Sequence, residues 1–396
     1  MDFQYSEEQQ LLADSIGKLL DKTYDFEARQ GIVASAAGYS DEVWRQFADM
    51  GLLSLPFAAE DGGFGGGAMD LMAVMEAIGA ALVVEPFVST VGLAGRLLAR
   101  AGSAAQRQAL LPGVIDGSLK LAFAHLDRGA RYELARVATR AQRRGNGWVL
   151  DGEKEVVLHA PMADKLIVSA RSAGDVDDVQ GLNLFIVDAK AAGLSVNSYR
   201  TIDGLRAADV VLDGVAVDND ALLGGVGAAQ AGAVQTGAVQ AGAALPLIEE
   251  AVDFATVLQC CEAVGAMRSA NAATLEYLKT RRQFGVPIGS FQALQHRMVD
   301  MTISAEQARS ISTLACARID AAARGELSEA ERKRFVSAAK VKVGEAARHV
   351  GQEAIQLHGG MGMTIEMKVA HTFKRLTMIA QQFGDVDHHL ARFAAV

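Results

Sequence analysis

Two clusters of side chains in this sequence have the chemistry to grip a nucleotide. The first lies in YLKTRRQFGVPIGSFQALQHRMVDM, residues 277–301, and the second in AIQLHGGMGMTIE, residues 354–366. Arg281 and Arg282 close a helical run and meet Gly285 and Pro287, which neither continue a helix readily nor pack like one. Helical spacing restarts at Phe291, behind Ser290 as a candidate N-cap. Guanidinium forks beside a turn suit bidentate contact with a diphosphate. Gln283, Gln292 and Gln356 offer the paired donor and acceptor of an amide to a base or ring edge. The same residues also fit a solvated basic helix end, and residue chemistry alone leaves both readings open.

The elements that must position these clusters are helical at both ends of the chain and strand-like in the middle. Leu11, Leu12, Ile16, Leu19 and Leu20 share a helical face behind a Ser6/Gln9 capping box. A second helix is expected over 41–53 and a third over 69–84, stopped by Pro86, with two more before Pro112. The glycines of GGFGGG, residues 62–67, follow a helix and a proline loop instead of a strand. That argues against a dinucleotide fingerprint and for a flexible turn. From residue 119 the period becomes two. Seven or eight short strands follow, with a hairpin signal at Gly145-Asn146-Gly147. Residues 224–244 are low in complexity and read as a linker or frayed helix. Stripes such as Met267/Thr274/Leu278, Leu294/Met298/Met301 and Ala347/Val350/Ala354/Leu357 then mark a four-helix bundle. The expected architecture is α+β, mainly α: a helical domain over 1–118, an antiparallel β-barrel over 119–223, the linker 224–244, and the bundle over 245–396.

Both clusters together resemble the C-terminal helical domain of the acyl-CoA dehydrogenase flavoprotein family. A weaker likeness runs from SEEQQLLADSI through PFAAEDGGFGGG to AADVVLDGVAVDNDALLG. The resemblance implies an FAD cofactor, α,β-desaturation of an acyl-CoA thioester, and electron-transfer flavoprotein or a similar electron acceptor. It also implies that Arg281, Arg282, Gln283, Phe291 and Gln292 reach the diphosphate and adenosine half of an FAD held mainly by a neighbouring subunit. Gln356, Leu357, His358, Gly359 and Gly360 would contribute to the same half-site.

That reaction needs a carboxylate near the substrate α-carbon, a flavin facing the β-carbon and donors to the thioester carbonyl. In the family the base is a Glu at one of two positions. The family's spacings lead to Phe383 and Ala255, neither of them acidic. Val156, Val157 and Leu158 stand where the family has Trp-Ile-Thr or Trp-Ile-Ser against the isoalloxazine ring, and HLDRGARYE replaces its flavin loop. Asp253 remains, but Thr256 stands where an Arg would meet the CoA ligand. Asp385 is a candidate base if a local shift places it. The competing role for Asp385 or Asp387 is to cap the last helix, on which His388 and His389 read as exposed.

The expectation is therefore a non-catalytic partner in a heterotetramer with a paralogous subunit, as in bacterial members acting on dicarboxylyl-CoA or steroid side-chain thioesters. Among such members, the chain resembles the small subunit of pimeloyl-CoA dehydrogenase. A self-sufficient homotetramer using Asp385 or another acid, and a scaffold without flavin, are the alternatives. The net charge of -9 argues against a nucleic-acid partner. No apolar run approaches a membrane span, and the polar start MDFQYSEEQQ lacks a signal pattern, so a cytoplasmic location is expected. Cys260, Cys261 and Cys316 lie on apolar helical faces without metal spacing and are expected as buried free thiols.

Overall fold

The computed structural model describes residues 5–224 and 242–395. Residues 225–241, most of the expected linker, lie outside the described residues. The helices in chain order are α1 Glu7–Thr23, α2 Phe26–Ala34, α3 Asp41–Asp49, α4 Ala68–Ala81, α5 Arg96–Ala101, α6 Ala104–Ile115, α7 Leu245–Thr280, α8 Gln292–Ala323, α9 Glu329–His358, α10 Lys368–Gln381 and α11 Val386–Ala394. The strands are β1 Leu121–Ala124, β2 Arg140–Arg144, β3 Gly147–Leu158, β4 Lys165–Arg171, β5 Leu182–Asp188, β6 Leu194–Arg200 and β7 Arg206–Asp218, with the short pair β8 Arg282–Gln283 and β9 Val286–Pro287. They fall into two compact units, one of Met1–Ala34, Gly67–Val84 and Thr256–Val396, the other of Ser35–Gly66 and Glu85–Ala255.

The first unit is helical. The amide of Gln9 donates to Ser6 Oγ and the amide of Ser6 to Gln9 Oε1, so α1 opens with the expected capping box. Its buried stripe is narrower than the sequence pattern, with Ile16 and Leu20 inside and Leu11 exposed. Helix α4 lies against α7 through two glycines. A Cβ on Gly79 would sit 1.9 Å from the Glu262 carbonyl oxygen, and one on Gly265 1.8 Å from that of Glu76. Asp320 of α8 accepts the first amides of α4, from Ala68 at 2.7 Å and Met69 at 3.0 Å. Among the described residues from 245 onward there are five α-helices, of which α9 packs on α8, α10 and α11. Cys260, Cys261 and Cys316 are free and buried, as read from the sequence.

The second unit is built on a sheet. The expected antiparallel barrel is corrected to a mixed, open sheet: β1 and β2 each pair parallel with β4, while β6 ends the ladder. Alternation and turn residues specify that strands exist and which face is buried. They do not specify partners, and here the β2–β3 hairpin separates β1 from β4, the long connection a parallel pair requires. The hairpin turns at Gly145-Asn146 with Arg144 opposite Gly147, as expected. Strand β3 joins two runs expected as separate strands, with irregularities after Leu150 and Lys154. Leu150, Val157, Leu166, Val168, Phe185 and Val210 lie in its core. The fully buried guanidinium of Arg171 donates to the carbonyls of Ala135, Val137, Val176, Asp178 and Gln180 and pins two loops to the end of β4. Helix α3 stops at Asp49, earlier than expected, because Gly51 turns into the left-handed region at φ +75. The glycine-rich loop folds back on residues 54–58 through amides of Gly63, Phe64, Gly65 and Gly66, so it is a tight turn and not an open one.

Gly265→Ala should destabilise the protein by about 2–3 kcal/mol, since backbone must move to admit the methyl. Gly17→Ala on α1, where a Cβ meets nothing within 4 Å, should stabilise it by up to about 1 kcal/mol. Urea unfolding of the two variants reads both signs.

Candidate functional site

Helix α7 ends at Thr280, and β8 and β9 form a two-stranded hairpin with Arg282 opposite Pro287 and Gln283 opposite Val286. The turn residues Phe284 and Gly285 both have positive φ, +53 and +79. A 3-10 turn, Ile288–Ser290, leads into α8. Ser290 does not cap α8 as expected: its hydroxyl donates to Pro287 O at 2.7 Å, and α8 starts behind Phe291 without a side-chain cap. The first amides of a long helix are left without a side-chain acceptor, an arrangement favourable to an anion.

The expected residues gather at this end of the first unit. Arg281, Arg282, Gln283, Phe291 and Gln292 are exposed. Among the described residues neither arginine has an ion pair; Arg282 donates to Gly285 O at 3.1 Å. The second cluster is joined to the first by the Tyr277 ring, which stacks on His358 with centroids 4.5 Å apart. Gln356, Gly359 and Gly360 are exposed, whereas the side chains of Leu357 and His358 are buried. His358 Nδ1 donates to Ala354 O at 2.8 Å, and burial lowers its pKa. With their side chains buried, Leu357 and His358 present backbone at this surface. Gly359 ends α9 with φ +60. Gly360 has no left-handed φ and a Cβ on it would meet nothing in the chain, so neither strain nor internal packing accounts for the glycine.

The sheet unit is different in character. Lys154, of the Gly152-Glu153-Lys154 sequence, is fully buried and donates to Asp127 Oδ1 at 2.7 Å, His125 O at 3.0 Å and Ser169 Oγ at 3.1 Å. Burial pulls its pKa down to about 8 against the opposing pull of Asp127. Asp127 also accepts the Thr139 amide and hydroxyl, so the carboxylate in HLDRGARYE is consumed in closing its own loop. Next along β3, Val156 sits at a bulge with φ +52 and is 45% exposed, Val157 is buried and Leu158 half-buried. None of these three side chains has a hydroxyl or an aromatic face to offer. His159, also left-handed, is tied to Ser89 Oγ at 2.6 Å.

The acids Glu250, Glu262 and Asp385, near the two expected base positions, are all committed within the chain. Ala255 itself is buried within α7. Five residues earlier, Glu250 is held by Arg96, whose guanidinium lies 3.8 Å from the centre of the Phe254 ring. Further along α7, Glu262 is gripped at both oxygens by Arg375, at 2.5 and 2.7 Å. Phe383 has φ +59, in the turn between α10 and α11. Asp385 is the N-cap of α11, accepting the His388 amide at 2.9 Å, the capping role foreseen as its alternative. Position alone made Asp385 a candidate, and its bond to the helix explains why it is there. His389 is buried, contrary to expectation: it bonds Ser337 Oγ at 3.2 Å and donates from Nε2 to Phe383 O at 3.0 Å. Three participants were invisible in the sequence. Glu250 and Glu262 gave no signal of their pairing, and Phe284 was hidden because Gly285 read as a simple breaker.

Profiles of the acyl-CoA dehydrogenase N-terminal, middle and C-terminal domains match residues 6–118, 122–215 and 242–394. Acyl-CoA dehydrogenase FadE12 of Mycobacterium tuberculosis is 30% identical over 352 residues, 86% of this chain and 84% of its own length. Among solved structures, the ChsE4-ChsE5 complex from Mycobacterium tuberculosis is similar with a TM-score of 0.84 at 25% identity, covering 100% of this chain and 98% of the other. A variant of the Tcur3481-Tcur3483 steroid ACAD gives 0.82 at 28% identity, covering 98% and 97%. The chain belongs to the acyl-CoA dehydrogenase family, FAD-dependent oxidoreductases that act on CH–CH bonds.

Burial pushes the His389 pKa down to about 3, with Lys340, His388 and Arg392 adding to the shift and the bond to Phe383 O opposing it. The unfolded chain then binds a proton near pH 6.5 that the folded chain refuses, so this contribution to stability is full above pH 6.5 and falls as the pH drops toward 3. Between pH 7 and 5 it should cost about 2 kcal/mol at roughly 1.4 kcal/mol per pH unit. His389→Asn should flatten that part of the urea-midpoint profile; an unchanged slope would exclude His389 as its source.

Proposed function

We propose that this chain is the non-catalytic subunit of a heteromeric acyl-CoA dehydrogenase, supplying the adenosine-side half of an FAD site whose base and ring bed come from a different chain. The observation that carries this reading is the commitment of acids near the two base positions to partners of their own. Glu250 is paired to Arg96, Glu262 to Arg375, and Asp385 to the start of α11. A general base needs a free lone pair within reach of the proton it removes. By contrast, Arg281, Arg282, Gln283, Phe291 and Gln292, with the backbone at Gly359 and Gly360, are exposed at one end of their unit. They fit the diphosphate and adenosine of FAD by charge and by shape. FAD bound across the subunits would act as the two-electron acceptor in α,β-desaturation of an acyl-CoA thioester.

Two similar structures support the heteromeric reading, since the ChsE4-ChsE5 complex and the Tcur3481-Tcur3483 steroid ACAD each pair two differently named proteins. The catalytic partner would be a paralogue of this chain, and electrons would pass to electron-transfer flavoprotein or a similar acceptor. Among the described residues no helix is long and apolar enough to cross a membrane, which accords with a cytoplasmic assembly. The self-sufficient homotetramer is disfavoured because Asp385 is placed as the N-cap of α11, with its Oδ1 accepting the His388 amide.

The chain purified alone should be colourless and should not oxidise acyl-CoA. Co-purified with its paralogue, it should give a yellow assembly with fewer FAD than chains. In that assembly Arg281→Ala should weaken FAD binding about 10-fold or more, the scale of a lost charge-assisted contact. Phe383→Ala should leave turnover within about twofold, because an effect under roughly 0.4 kcal/mol is expected of a residue outside the reacting site. Full turnover by the chain alone, with one FAD per chain, would reject the proposal.

A further inference from the structure

Cys261 of α7 and Cys316 of α8 meet inside the helical unit. Their Sγ atoms lie 3.4 Å apart, although the residues are 55 positions apart in sequence. Both are free thiols and both are fully buried. Cys260 is turned by about 100° around α7 from its neighbour and feels the Lys340 amine instead. Burial at these positions asks only for a small apolar side chain, as Ala263, Ala266, Ala308 and Ala315 on the same two helices show. Two sulfurs in contact have a chemistry that alanine lacks.

The contact sits where three helices converge. On one side of Cys316, Thr313 Oγ1 donates to Met72 Sδ at 3.6 Å; on the other, Asp320 accepts the first amides of α4. The sulfur pair adds a tie between α7 and α8 to those between α8 and α4. The bond to Cys316 and burial hold the Cys261 thiol well above the ordinary cysteine range. Little thiolate is present, so attack on an oxidant is slow, and the geometry decides the product once that attack has occurred.

The geometry points to a thiol pair that closes to a disulfide between Cys261 and Cys316 under hydrogen peroxide, a reversible covalent tie of α7 to α8. One sulfur attacks the O–O bond, and its proton leaves with the released hydroxide as water, giving a sulfenic acid. The adjoining sulfur attacks that sulfenic sulfur, and its own proton leaves with the hydroxyl as a second water. Two thiols and one peroxide become one disulfide and two waters, with two electrons passing from sulfur to peroxide. Because the second sulfur is already in contact, this step precedes further oxidation to sulfinic acid. A dithiol reverses it. None of these steps depends on the proposed flavin half-site.

The full chain is treated with hydrogen peroxide until Met363, 71% exposed, is converted to its sulfoxide, which sets the dose. Thiols counted after denaturation should fall from three to one, without joining of chains on a non-reducing gel. Closing a loop of this length should raise the thermal midpoint by about 5 °C, and dithiothreitol should reverse both changes. Cys260→Ala should still lose two thiols, whereas Cys261→Ala should lose none. Cys316→Ala repeats that second outcome should Cys261→Ala fail to fold. Three thiols remaining at that dose, a cross-link made by Cys260, chains joined through any cysteine, sulfinic acid at Cys261 or Cys316, or a disulfide that lowers the midpoint would each overturn the proposal.

Discussion

The ion pair between Glu262 and Arg375 fixes much of what the helical unit can do. Both groups are nearly without solvent, and the guanidinium meets both carboxylate oxygens. Removing either partner would leave a buried uncompensated charge, a defect worth about 3–5 kcal/mol. The pair ties α7 to α10, and its neighbours extend the tie to the following turn. Gln382 Oε1 accepts from Gln259 at 2.6 Å and from Arg375 at 3.3 Å. The buried Lys340 amine donates to the carbonyls of Ile379 and Gln382. His389 then holds the carbonyl of Phe383, and Asp385 holds the start of α11. The turn is thus determined from α7, α9, α10 and α11 at once, and the polar groups that determine it are consumed in doing so.

The sequence disclosed those features that depend on local chemistry. Helix starts with a side-chain cap, the hairpin at Gly145-Asn146, the buried stripes of α7 and α9, and the end of α9 at Gly359 all follow from residues within a few positions of each other. Features set by distant partners were hidden. The parallel pairing of β1 with β4 joins residues more than forty positions apart, and alternation in a strand is the same whichever neighbour it finds. The fates of Glu250 and Glu262 were likewise invisible, since their arginines lie at positions 96 and 375. His389 read as exposed because its neighbours are polar, yet burial was decided by α9 packing over it through Ser337. Motif spacing located the exposed end correctly but missed Phe284, where the information lies in a backbone angle.

The two polar regions of the chain are satisfied in opposite ways, and the contrast bears on function. In the sheet unit, Lys154, Asp127 and Arg171 are buried with their hydrogen-bonding capacity spent inside the chain. Each would be costly to remove. At the end of the helical unit, Arg281 and Arg282 have no ion pair among the described residues, Gly360 leaves space that the chain does not fill, and the strained Phe284 faces solvent. Such surface groups add little to folding stability.

A surface that does not stabilise its own chain is explained by what it meets outside. The net charge of -9 makes two adjacent unpaired arginines an unusual local feature, for an acidic chain has carboxylates to spare for pairing. Ion pairing would lower their free energy in the isolated chain and, at the same time, compete with any anion approaching from outside. Leaving them unpaired keeps the guanidinium forks open for a diphosphate. A Cβ at Gly360 would meet nothing in the chain, so packing does not require glycine there. Ala255 and Val157 are compatible with a stable fold, because both are buried as core. The exposure of Arg281 and Arg282 and the open space at Gly360 are not explained by folding stability, and the proposed half-site for FAD would account for both.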